Sequence, residues 1–191
     1  MTSLFDVPES KLSLEATQYV RELSSKTLFN HLMRTYAFGY MIAQKNDLKM
    51  DMELLYLGAI MHDLGLTEPF ADKERSFEIE GGEAACHYLV QHGYPIDKAE
   101  IVQKAVELHA TVEAENEQPE IALVHLGVMV DAGFRVDLFP KDLIQQIIGQ
   151  YPRLGINHKM IEHFTYQLQT KNDTKLIPII EAAKHHSYFN E

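Results

Sequence analysis

Apolar residues recur at three- and four-residue spacings almost from one end of this chain to the other, while the alternation of a half-buried strand is scarce. A chain patterned this way makes helices with one apolar stripe each, and those stripes must be buried against one another. The period predicts an all-α fold of about nine helices, near 13–24, 27–45, 51–63, 76–92, 96–109, 119–133, 141–150, 157–169 and 173–185.

Several of these boundaries have a physical cause. Asp51 is placed to cap the third helix, and Gly65 follows its last turn, where a left-handed residue is tolerated. Ser76 is placed to cap the fourth, with Glu78 in the first turn complementing the helix dipole. Gly93 and Pro95 separate the fourth helix from the fifth, and Pro140 and Pro152 bracket the seventh. The segment from Leu64 to Arg75 is long enough to act as a lid over a site.

With 191 residues, 46% of them hydrophobic, the chain can bury a core. No repeat, low-complexity tract or Gly/Ser/Pro-rich linker divides it, so residues 1–191 are expected to form one domain. The start, MTSLFDVPES, lacks the basic stretch and apolar core of a signal peptide, and no apolar run approaches the roughly 18 residues that span a bilayer. Cys86 is the single cysteine, which rules out an intrachain disulfide and makes a cytoplasmic location the expectation; its core-like spacing reads as packing. Asp and Glu total 28 against 17 Lys and Arg, a formal charge of −11. That field opposes non-specific binding to nucleic acid or anionic membrane and leaves a small molecule as the expected partner. The sequence leaves a homo-oligomer open. The glutamate-rich segment TVEAENEQPE, from Thr111 to Glu120, reads as a solvated loop.

The informative feature is where ionisable groups fall on the helical stripes. His31 shares a face of the second helix with Phe38 and Ile42, and Arg34 lies one turn further on, close enough to reach the same site. In the third helix Leu55, Gly58 and His62 follow one another at spacings of three and four, and Asp63 stands beside His62 at the helix end. In the sixth, the stripe of Ile121, Val124 and Val128 leads directly to Asp131. Two carboxylates and two imidazoles from three helices are therefore aimed at the core. A buried carboxylate without a partner costs several kcal/mol. A salt bridge to Arg34 is one form of compensation. A divalent cation compensates both carboxylates and uses both imidazoles as well. The spacing does not choose among Fe, Mn, Zn, Co, Ni and Mg, although Zn, Fe or Mn are expected before the others.

At these residues the sequence resembles the HD superfamily of metal-dependent hydrolases. That pattern is a histidine on one helix, a His-Asp doublet ending a later helix, and a distant aspartate. It is matched by His31, by His62 and Asp63 in MHDLG, and by Asp131 in VMVDAG. The resemblance implies an HD-type helical domain and makes these four residues the metal ligands. NHLMRTYAFGY, HDLGLT, SFEIEGGEAA and AVELHAT look like the branch that includes cyanamide hydratases. The motif-bearing core would be about 27–133, with the helices from 141 to 185 completing the domain. Leu66 and Thr67 stand where two threonines are expected, which leaves Thr67 as a hydroxyl for substrate. Carried over from the family, His109 lines the active site, as a substrate contact or as a ligand to a second metal.

The segment SFEIEGG adds Phe77 as a candidate substrate contact and Glu78 as a residue that orients a ligand histidine or handles a proton. Two glycines inside a helix cost about 1 kcal/mol each relative to alanine. Gly81 and Gly82 therefore point to close approach of this helix to the metal-bearing ones. His125 lies about 120° around the sixth helix from Asp131 and is a poor partner for the same metal. His87, His92, His158, His163, His185 and His186 read as surface or core residues.

The expected chemistry is metal-dependent. A bound cation lowers the pKa of water from 15.7 towards about 7, which makes hydroxide available at neutral pH. Asp63 or Glu78 would hold that water or take its proton, with Arg34 or His109 stabilising the negative charge that develops on the substrate. A cyanamide-like or other small nitrogenous substrate fits this apparatus. So does a phosphoester such as a nucleotide, although phosphate calls for several convergent cations. Near the motifs only Arg34, Lys73, Arg75 and Arg135 are available. Two further readings make different predictions: a metal-stabilised binding module without turnover, and an all-α structural protein whose inward acids are met by arginine.

Overall fold

The computed structural model describes residues 4–71, 74–185 and 188–189. Lys73 and His186 lie outside the described residues. The described residues form ten α-helices and no strand: α1 (Lys11–Leu23), α2 (Lys26–Lys45), α3 (Met52–Met61), α4 (Glu68–Ala71), α5 (Phe77–Gln91), α6 (Ile96–Leu108), α7 (Pro119–Asp131), α8 (Lys141–Gln150), α9 (Ile156–Lys171) and α10 (Leu176–His185). All nine expected helices are present. The tenth, α4, is a four-residue turn, too short to leave a periodic signature.

The caps explain several starts. Ser10 and Ser25 accept hydrogen bonds from the backbone N–H groups of Ser13 and Leu28. Asp51 accepts from the N–H groups of Glu53 and Leu54, and its other oxygen receives Lys98 Nζ at 2.7 Å. Ser76 departs from expectation: it occupies the cap position of α5, yet its side chain makes no capping bond. Glu120, expected in a solvated loop, is 8% exposed and accepts the backbone N–H of Asp51 at 2.7 Å. It ties the start of α7 to the start of α3.

α2 is buried on all sides from Leu28 to Gly39, and it packs against α3 on one side and α7 on another. Close approach to α7 depends on glycine. A Cβ on Gly127 would run into the carbonyl oxygen of Thr35, and one on Gly39 would lie 2.8 Å from that of Leu123. α3 also packs against α6 and α7, and α5 lies along α6. Gly65 corrects the expectation of a left-handed turn, since its φ is not positive. A Cβ there would strike the carbonyl of Phe77, so glycine lets α5 sit on the turn that follows α3. Gly81 meets the same turn from the other side, and Gly82 faces Gln103 and Glu107 on α6.

The helices beyond α8, α9 and α10, pack against each other. Their apolar faces make a second cluster in which Leu66, Phe77, Leu176 and Ile180 are buried and Met160, Phe164 and Ile179 are packed against them. The described residues of the segment expected to be a lid do not cover the site. Leu64 and Leu66 are buried, and no described residue between Leu64 and Arg75 lines the cavity described below. That cover comes from α9 and α10.

Candidate metal centre

Each buried ionisable group sits where a helix ends or passes the centre of the molecule. His31 is one turn into the buried part of α2, His62 follows the last residue of α3, His109 follows the last residue of α6, and Asp131 ends α7. All four, with Asp63, are at most 4% exposed.

The three imidazoles are set the same way. His62 Nδ1 donates to the carbonyl of Ala59 at 2.7 Å, and His109 Nδ1 donates to that of Val106 at 2.6 Å. His31 Nδ1 donates to Asp131 Oδ2 at 2.6 Å. Each ring thereby leaves Nε2 as the atom that carries a lone pair. Those atoms converge on Asp63. His31 Nε2 and His62 Nε2 are 3.1 Å apart, they lie 3.4 and 3.3 Å from Asp63 Oδ2, and His109 Nε2 is 3.6 Å from Oδ1. Both oxygens of Asp63 are buried and have no hydrogen-bond partner. An orphaned carboxylate facing imidazole lone pairs is costly as it stands, and a divalent cation at the shared point satisfies every member. Ligand atoms of His31, His62 and Asp63 all lie within 4.8 Å of one another, so the donor set fits a metal ion.

Asp131 is arranged differently from Asp63. Its Oδ1 accepts from Arg34 Nε at 2.6 Å and Arg153 Nη1 at 3.1 Å; its Oδ2 accepts from Arg34 Nη2 at 2.8 Å and from His31. All four acceptor positions of the carboxylate are engaged. Asp131, expected as the fourth ligand, holds the back of the His31 ring and lies outside the three-residue group whose ligand atoms converge. Burial raises its pKa, but Arg34 and His31 outweigh burial and hold it well below the usual carboxylate range. Burial lowers that of His31, and Asp131 and Asp63 more than restore it. Burial and the neighbouring His62 push His109 down to about 4, so it is neutral at pH 7.

The structure separates the other expected site residues into two sets. Phe77 is 1% exposed and lines the cavity beside His109, with ring centroids 5.7 Å apart. Arg34 does not line it: it is fully buried, with Nε and Nη2 on Asp131 and Nη1 on the carbonyls of Tyr151 and Pro152. Thr67 spends its hydroxyl on the carbonyl of Leu64 at 2.7 Å and is likewise absent from the wall. Glu78 lies a third of a turn from Phe77 and faces Ser76, Asp173 and Lys175; burial raises its pKa. Arg75 pairs with Glu80 and Glu83, and Arg135 with Glu115. His125 bonds the carbonyl of His109 at 2.8 Å and supports that residue from behind.

Sequence reasoning missed Arg153, which joins Asp131 to Asn157, and the cavity wall formed by Ile156, Met160 and Phe164 of α9 and Ile179 of α10. Nothing distinguishes those apolar residues from ordinary core. The cavity is about 330 Å³, with the histidines and Asp63 at one end and apolar residues over most of the rest. Among the described residues no lysine or arginine lines it.

The HD domain family model matches residues 28–128, and the chain belongs to that family. Membership places it in the class of metal-dependent hydrolases, whose HD domains bind divalent metal ions. Two curated relatives narrow the likeness. The cyanamide hydratases DDI2 and DDI3 of Saccharomyces cerevisiae are each 25% identical over 171 residues, covering 84% of this chain and 74% of the relative. Among the described residues no helix is long and apolar enough to cross a membrane.

Proposed function

We propose that this protein is a hydratase or hydrolase of a small uncharged nitrogenous molecule, with the cyanamide-like C≡N group as the reacting head. The observation that carries this reading is a buried, orphaned carboxylate among three imidazole lone pairs, at the end of a cavity lined by no described cation. The likeness to cyanamide hydratases supports the same head group. The absence of described cations weighs against a phosphoester, which calls for convergent positive charge. One HD-type domain over residues 1–191, completed by α8, α9 and α10, agrees with the placement of the cavity wall on α9 and α10.

His31, His62 and Asp63 hold the metal in this reading, and Asp131 fixes the tautomer and orientation of His31. A divalent ion so held supplies Lewis acidity, which acidifies water and polarises the substrate. Asp63 accepts a proton or hydrogen bond from the attacking water, being the only described carboxylate there without a partner of its own. His109 is neutral, with Nε2 open towards Asp63, and takes or returns a proton at that atom. Phe77 and the α9–α10 wall exclude bulk water, which strengthens these electrostatic interactions.

The test is to reconstitute the purified chain with Zn, Fe or Mn and assay cyanamide for conversion to urea, beside a panel of nucleotides. Metal-dependent urea formation is expected, with loss of at least a hundredfold in Asp63→Asn. Phosphate release from a nucleotide without urea formation would overturn the assignment.

A further inference from the structure

A cyanamide-sized head does not account for the cavity. An engineered apolar cavity of about 150 Å³ takes up benzene, and the space here is about 330 Å³. The excess is bounded by Val128 of α7, Ile156, Met160 and Phe164 of α9, and Ile179 of α10. Water filling such a space finds few hydrogen-bond partners on the walls, so an apolar group displaces it favourably. The polar atoms gather at one end, where the histidines and Asp63 lie. Asn157, also on the wall, has its Oδ1 bonded to Arg153 Nη2 at 2.9 Å. This layout is that of a site for an amphipathic molecule whose polar tip reacts and whose body is bound by burial.

We propose that the natural substrate is a nitrile or cyanamide carrying an apolar alkyl or aryl body of about benzene size or larger, rather than cyanamide itself. The inference rests on the hydratase reading for the head group alone; the body is read from the cavity. The reaction uses only water. A C–O bond forms between the water oxygen and the nitrile carbon, and one C≡N π bond breaks. Its electron pair takes a proton at nitrogen, and tautomerisation gives the amide or, from a cyanamide, the substituted urea. No oxidant or reductant takes part. Each CH₂ buried from water tightens binding about fourfold, and the loss of overall freedom on binding falls on cyanamide and on a substituted cyanamide alike, so the body adds affinity.

The experiment compares phenylcyanamide with cyanamide on the metal-loaded full chain, by calorimetric titration and by product formation. Benzene, monitored as a rise in Tm of the metal-free protein, probes the apolar end without any chemistry. Phenylcyanamide is expected to bind at least tenfold more tightly than cyanamide, and benzene to raise Tm. Ala182→Phe, which fills the cavity from α10, should remove both effects while metal content stays at the parent level. Glu181→Phe, which adds the same bulk on the exposed side of α10, should keep them, and the comparison of phenylcyanamide with cyanamide on the parent decides the matter where the filled variant fails to fold. If phenylcyanamide binds no more tightly than cyanamide, the proposed body is wrong, even where cyanamide is hydrated and the hydratase reading stands. If phenylcyanamide binds tightly and neither compound is hydrated, the body stands and the hydratase reading falls.

Discussion

Replacing Asp63 or Asp131 by asparagine removes one negative charge from the same buried cluster, yet the two substitutions are expected to behave differently. The Asp63 oxygens have no hydrogen-bond partner and face only the imidazole nitrogens, so Asp63→Asn should abolish stoichiometric metal binding. Asp131 is saturated by Arg34, Arg153 and His31, so Asp131→Asn should retain metal with affinity reduced about 10- to 100-fold through a loosened His31. Competition with a chelator measures both. Complete loss in the two variants alike would make Asp131 a direct ligand. A second expectation at this scale concerns acid. The folded-state pKa of His109 is about 4, against about 6.5 in an unfolded chain. Between those values the unfolded chain binds a proton that the folded one does not, so stability falls as pH drops through this window and is unaffected by His109 above it. In metal-free protein, His109→Gln should therefore lose less stability than the parent between pH 7 and about pH 5 in urea unfolding. An equal loss in both would contradict the assignment of a neutral, buried His109.

At the scale of helices, the site exists because α2 and α7 approach closely enough to bring His31 onto Asp131. Gly127→Ala places a methyl group against the backbone carbonyl of Thr35, which cannot rotate aside. Overpacking of this kind costs about 1–3 kcal/mol, and Tm together with metal affinity should fall. Unchanged values in both would show that the crossing has slack. The nine longer helices and the approach of three of them were legible in the sequence because His31, His62 and Asp131 interrupt apolar stripes at helical spacing. Partners were less legible. Spacing brought Arg34 near the site but could not say that its guanidinium would be consumed by Asp131 and two carbonyls. Arg153 lies in a connection more than a hundred residues along the chain from His31, where no period points to it. Glu78 and Phe77 are adjacent in sequence, and a turn of about 100° decides which of them faces the cavity. Met160, Phe164 and Ile179 form the wall but look like any helix interior.

Over the whole molecule, the cavity lies at the seam between the main core, built on α2, α3, α6 and α7, and the smaller cluster that seats α9 and α10 on Leu66 and Phe77. The family-matched part, residues 28–128, supplies His31, His62, Asp63 and His109, and the helices beyond it supply much of the apolar wall. In the proposed reading the matched part supplies the reacting groups, and the part that follows supplies the surface that selects the substrate. The acidic surface, with a formal −11, leaves the interior cluster as the place where charge and metal meet. The proposed reaction depends on that cluster holding an ion. The direct measurement is elemental analysis of the protein purified without an affinity tag, beside the double variant His62→Ala, Asp63→Ala. Near-stoichiometric Zn, Fe or Mn in the parent and none in the variant is the predicted result. No metal in either protein after reconstitution with excess divalent ions would contradict the account and leave the buried carboxylate unexplained.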